Sequence, residues 1–102
     1  MATGTSTELC LSLDARVRRA RQVVGSDIRD EVILLDPECG LYFAVNPTGR
    51  FLWLKMADPV TLRTLVDSLA AAFALTSEQA HADVARFITE LRRHGLVETL
   101  AA

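Results

Sequence analysis

The sequence predicts a small α+β domain. Three strands joined by short turns form an antiparallel meander, and three helices follow, a winged-helix-like order β-β-β-α-α-α. Three observations predict it. Two short apolar runs, Val32–Leu35 and Leu41–Val45, flank the turn Asp36-Pro37-Glu38-Cys39-Gly40. The second half carries two apolar stripes at helical spacing, each behind a capping signal. The chain has 102 residues, half of them apolar and 24% charged, which fits one unit with its own core.

Each element has a local cause. Gln22–Ile28 reads as the first strand, weakened by Gly25 and Ser26, and Arg29-Asp30-Glu31 as a polar turn. Val32–Leu35 is the second strand, apolar and partly β-branched. In the next turn Asp36 suits the first position, Pro37 presets φ at the second, and Gly40 supplies a positive φ. Leu41–Val45 is the third strand. Asn46 can cap a helix whose first position takes Pro47 without losing a needed N–H, and this helix runs to about Met56, with Trp53 in the core. Thr61 caps a second helix to Phe73, with Leu62, Leu65, Val66 and Leu69 as its buried stripe. Thr76 and Gln79 form a capping box for the third helix, whose stripe is Ala80, Val84, Phe87, Ile88 and Leu91. Gly95 ends that helix in a left-handed cap, so that Leu96 folds back on the last turn.

Outside these elements, residues 1–15 read as a flexible N-terminal segment, residues 16–98 as the domain and 99–102 as a tail. The arginine-dense stretch Arg16–Arg21 reads as a solvated approach to the first strand or as a surface for an acidic partner. His81 and His94 read as surface residues, and Cys39 as part of the turn.

Several function classes are disfavoured. Thirteen acidic residues against eleven basic ones leave a net charge of −2, without the cationic excess of a nucleic-acid binder. No apolar run approaches the roughly 20 residues that span a bilayer, so no membrane partner is expected. The start MATGTSTELC lacks a signal-peptide pattern, and two cysteines are too few for a disulfide framework, so a reduced, cytoplasmic protein is expected. No clustered nucleophile, base, metal-ligand or phosphate-loop pattern occurs. The chain therefore reads as a binding module without catalysis, metal or cofactor.

The strands carry the functional signal. A sheet with one solvated face alternates apolar and polar residues, yet Val32–Leu35 and Leu41–Val45 are apolar at both parities. One face can pack on the helices. The other calls for the N-terminal arm, a second subunit or a ligand. The third strand of a meander also lies at an edge, where free N–H and C=O groups can accept an extended peptide. The same edge and short hairpin permit a strand-exchanged homodimer.

The run from Val32 through Asp36-Pro37-Glu38-Cys39-Gly40-Leu41-Tyr42-Phe43-Ala44-Val45-Asn46-Pro47-Thr48-Gly49 to Phe51-Leu52-Trp53 resembles the PqqD-like family. So do Thr61-Leu62, Leu65-Val66, Leu69, Asp83-Val84, Phe87-Ile88, Leu91 and Gly95-Leu96 in that order. The resemblance spans roughly Val23 to Val97. Its turn and its aromatic Tyr42-Phe43 look more like the broader group than like the proteins of pyrroloquinoline quinone biosynthesis, where a Pro-Glu-Arg turn and a less aromatic strand are usual.

The resemblance implies a RiPP recognition element, a domain that binds the leader of a ribosomally made precursor peptide as a strand added to the edge of its sheet. It implies a partner enzyme, a radical SAM protein or a leader peptidase, and no catalytic residue in the domain. Mapped onto this chain, Leu41, Tyr42, Phe43, Ala44 and Val45 become the receiving strand. At 100° per residue, Asp83, Phe87 and Glu90 share one flank of the third helix, with Arg86 at its margin. His81, Ala85 and Arg92 share the other. The first flank is the expected peptide wall, with Phe87 apolar and Asp83, Arg86 and Glu90 orienting by charge. A winged-helix DNA-binding regulator is the alternative, but its recognition helix would mix Arg86, Arg92 and Arg93 with Glu78, Asp83 and Glu90. A structural subunit of a larger enzyme is another.

Overall fold

The computed structural model describes residues 12–28, 31–38 and 40–100. In chain order the elements are β1 (Arg16–Arg19), β2 (Val24–Ile28), β3 (Glu31–Asp36), β4 (Leu41–Val45), α1 (Pro47–Lys55), β5 (Val60–Thr61), α2 (Leu62–Phe73), α3 (Ser77–Arg93) and β6 (Val97–Leu100). The expected meander is present as the antiparallel sheet β2-β3-β4, and the three helices follow as expected. A second antiparallel sheet, β5-β1-β6, was not expected.

That second sheet corrects the reading of Arg16–Arg21. The first four residues of this stretch are not a solvated approach but β1, paired with β6 from Arg16 opposite Leu100 to Arg19 opposite Val97, and Arg21 follows in an exposed turn. Val17, fully buried, anchors the strand. The arginines around Val17 remain partly solvated or paired. Nε of Arg18 donates to Glu98 Oε1 at 2.9 Å across the strand pair. Arg19 donates from Nε and Nη2 to the Trp53 carbonyl at 3.0 and 2.8 Å, with its guanidinium 4.7 Å from the Trp53 ring centroid. Burial lowers the Arg19 pKa from its ordinary value, but a guanidinium keeps its charge.

β6 also runs through Thr99 and Leu100, beyond the expected boundary at residue 98. At the other end, residues 1–11 of the expected flexible segment lie outside the described residues, and residues 12–15 make tertiary contacts. Leu13 packs on the core, and the carbonyls of Leu13 and Ala15 accept the N–H groups of Arg63 and Leu62 at 2.9 and 3.0 Å. Cys10 and Cys39, like the turn residues Arg29 and Asp30, lie outside the described residues.

The caps follow the sequence. Oδ1 of Asn46 accepts the Gly49 N–H at 2.8 Å, with Pro47 in the first turn of α1. Thr61 caps α2, and the Thr76–Gln79 capping box starts α3. α3 ends as expected: the N–H of Gly95, at φ 71°, donates to Arg92, and the N–H of Leu96 donates to Leu91 at 2.8 Å.

One core joins these elements. Val32, Leu34 and Val45 face Leu52, Trp53, Leu65, Leu69, Val84, Ile88 and Leu91. Gly25, which weakens the first strand by propensity, has a packing cause. A Cβ there would stand 2.8 Å from Nε1 of Trp53, so only glycine lets the indole reach β2. No helix among the described residues is long and apolar enough to cross a membrane.

Candidate functional site

The free edge of β4 follows from backbone register. Asp36 lies opposite Leu41, Leu35 opposite Tyr42, Leu34 opposite Phe43, Ile33 opposite Ala44 and Val32 opposite Val45. In an antiparallel ladder, opposite pairs alternate between those that exchange both backbone hydrogen bonds and those flanked by such bonds. A flanked pair at Asp36–Leu41 would need an N–H on residue 37, and Pro37 has none. Asp36–Leu41 is therefore a bonded pair, and by alternation so are Leu34–Phe43 and Val32–Val45. Tyr42 and Ala44 turn their N–H and C=O groups away from β3. Among the described residues no strand pairs with that outer edge.

The turn behind this register is held locally. Asp36, 5% exposed, accepts the Glu38 N–H on Oδ1 at 3.0 Å and a Gln22 Nε2 bond on Oδ2 at 3.3 Å. Its carbonyl accepts the Gly40 N–H at 2.7 Å, with Gly40 at φ 71°.

Beside β4 lies an open cleft of about 370 Å³. β4 contributes Phe43, and the start of α1 contributes Asn46, Thr48, Gly49 and Leu52. α3 contributes Asp83, Arg86, Phe87 and Glu90. The floor is apolar: Leu52 is buried, and Phe43 and Phe87 pack partly on the core. The rim is charged. Arg86 Nη2 donates to Asp83 Oδ1 at 2.6 Å, but Arg86 is 74% exposed, so the pair is weak and can open. Glu90 lies 3.5 Å from Arg93 Nη1 and 3.4 Å from His94 Nε2.

The structure thus brings Phe43, Asp83, Arg86, Phe87 and Glu90 to one cleft. It separates Tyr42, Ala44 and Val45 from them. Tyr42, 71% exposed, and Ala44 lie on the opposite sheet face, Val45 is in the core, and Leu41 begins β4 opposite Asp36. That opposite face, with Val24 55% exposed beside Leu35 and Tyr42, is uncovered among the described residues. Asn46, Thr48, Gly49 and Leu52 were not expected at the site. Gly49 carried a signal: inside a helix glycine costs about 1 kcal/mol against alanine, so its presence there implies close approach. Among the described residues no three His, Cys, Asp or Glu side chains are grouped to hold a metal ion.

Comparison with known proteins agrees with this geometry. The family of coenzyme PQQ synthesis protein D (PqqD) matches residues 31–97, which hold β3, β4, all three helices and the whole cleft lining. The chain belongs to the PqqD family. Its fold is similar to that of TbiB1 in complex with the TbiA(beta) leader peptide, with 26% identity and a TM-score of 0.75 over 83% of this chain and 99% of that one. It is also similar to a lasso peptide synthetase B1 complexed with the leader peptide, with 20% identity and a TM-score of 0.67 over 80% and 96% of the two chains. No curated protein sequence matches it significantly.

Proposed function

We propose that this PqqD-family chain is a RiPP recognition element. It binds the leader of a ribosomally made precursor peptide as a fourth strand on the outer edge of β4 and presents the precursor to a modifying enzyme. The observation that carries this reading is the unpaired edge at Tyr42 and Ala44 beside a cleft with an apolar floor and charged rim. Alternate side chains of a strand recur at about 6.8 Å. That is close to the roughly 6 Å rise between Asp83 and Phe87 along α3, so successive cleft-facing side chains meet successive groups of the helix wall. Main-chain pairing supplies affinity and the cleft supplies selectivity. The relatives solved with leader peptides support the same occupant.

In this reading the domain is an adaptor without catalysis, metal or cofactor, and a radical SAM protein or leader peptidase does the chemistry on the presented precursor. The site residues are the β4 edge, Phe43, Asp83, Arg86, Phe87 and Glu90.

The test is a fluorescence-anisotropy titration with the synthetic leader of a candidate precursor peptide. Low micromolar affinity or better, about −8 kcal/mol, is expected. No anisotropy change with that leader, together with a salt-dependent shift of duplex DNA, would replace the reading with that of a DNA-binding regulator.

A further inference from the structure

Gly49 sits where three elements converge. It is the third residue of α1, its N–H is held by Asn46 Oδ1, and it lines the cleft against Phe87 of α3. A Cβ at this position would stand 2.9 Å from Cε1 of Phe87, 3.1 Å from Cβ of Val45 and 3.2 Å from Oδ1 of Asn46. All three are inside the roughly 3.5–4.0 Å of favourable carbon contact.

The three neighbours differ in how they can yield. Val45 is 4% exposed and packed in the core. Asn46 Oδ1 is committed to the Gly49 N–H and to the Thr48 hydroxyl at 2.9 Å. The Phe87 ring is the free end of a side chain, partly exposed, with the buried Val84 and Ile88 of its own helix on the core side. The open direction for that ring is the cleft.

We infer that Gly49 is the specificity-determining position of the cleft. Its missing side chain lets Phe87 lie back, and the space left over Gly49 and Leu52 accepts a bulky aliphatic or aromatic side chain of the bound peptide. Any side chain at 49 drives Phe87 into that space and restricts the site to peptides with a small residue there. The inference deepens the peptide-binding reading and rests on it.

The test is a double-mutant cycle of Gly49→Ala and Phe87→Leu, with peptides selected on the parent protein from a random display library. Melting temperatures accompany every variant. Gly49→Ala is expected to weaken the parent-selected peptides about tenfold or more, and less than about threefold in the Phe87→Leu background. Selection on Gly49→Ala is expected to replace the bulky apolar residue of the parent's peptides by Gly, Ala or Ser. Equal losses in both backgrounds, no loss in either, or failure of both the single and the double variant to fold would overturn the inference.

A second readout needs no peptide. The Phe87 ring resonances of free Gly49→Ala are expected to shift in NMR spectra, and unmoved resonances would overturn the inference. If the parent enriches no peptide while the ring resonances move, the peptide-binding reading fails and the contact between Gly49 and Phe87 stands.

Discussion

The imidazole of His94 meets the ring of Phe43 edge-on, with centroids 5.6 Å apart and planes at 64°. His94 is the C-cap of α3 and Phe43 is the middle residue of β4, so the contact ties the two walls of the cleft at one end. Nε2 of His94 also lies 3.4 Å from Glu90 Oε2, which brings the same imidazole against the charged rim.

Removing that tie is expected to cost little stability and more function. An edge-to-face pair contributes about 0.5–1.5 kcal/mol, so His94→Ala should lower the melting temperature by a few degrees. Peptide affinity should fall further, because the walls lose their fixed spacing, and His94→Phe should recover it. Unchanged affinity in His94→Ala would show that spacing is set elsewhere.

Prolines along β4 are expected to give opposite phenotypes. Phe43→Pro deletes an N–H bonded to β3 and should destabilise or unfold the domain. Tyr42→Pro and Ala44→Pro remove N–H groups that face the open edge, where proline is tolerated. Both should keep a native circular dichroism spectrum and lose peptide binding. Folded variants at 42 and 44 that bind as the parent does would exclude pairing on this edge.

Asp83 and Phe87 are expected to fail differently. Asp83 lies on the rim in a pair with an exposed Arg86, so Asp83→Ala should leave the melting temperature nearly unchanged and weaken the peptide by about threefold to tenfold. Phe87→Ala should lose binding and also stability, by less than the roughly 3–5 kcal/mol of a fully buried phenylalanine, since its ring is partly exposed. Thermal melts and anisotropy titrations on both variants separate the two roles.

Arg19 is expected to matter for stability alone. Its fork makes two bonds to the Trp53 carbonyl and covers the indole, and hydrogen bonds to a charged group contribute about 1.5–3 kcal/mol. Arg19→Lys loses the fork geometry and should lower the denaturant midpoint nearly as far as Arg19→Ala. Peptide affinity of the folded fraction should stay at the parent value.

Legibility followed the strength of the local signals. The turn at Asp36–Gly40, the caps at Asn46, Thr61 and Thr76 and the Gly95 stop each rest on a residue type with one dominant conformational role, and each appears where its residues are. The second sheet was illegible for the converse reason. β1 offers one buried valine among arginines, β5 has two residues, and β6 alternates only as Val97-Glu98-Thr99-Leu100. None reaches the length at which period-two alternation stands out, and their pairing is set by contacts distant in sequence. The charged flank of α3 was readable because helical geometry places Asp83, Phe87 and Glu90 together. Gly49 and Leu52 joined the site only once α1 was seen to pack beside α3.

The most direct test of strand addition is amide hydrogen exchange along β4, followed by NMR with and without saturating leader peptide. The Phe43 and Val45 amides, bonded to β3, should exchange slowly in the free protein, and those of Tyr42 and Ala44 rapidly. Bound peptide should slow Tyr42 and Ala44 to the level of their neighbours. Equally rapid exchange at Tyr42 and Ala44 with the peptide fully bound would contradict pairing at this edge.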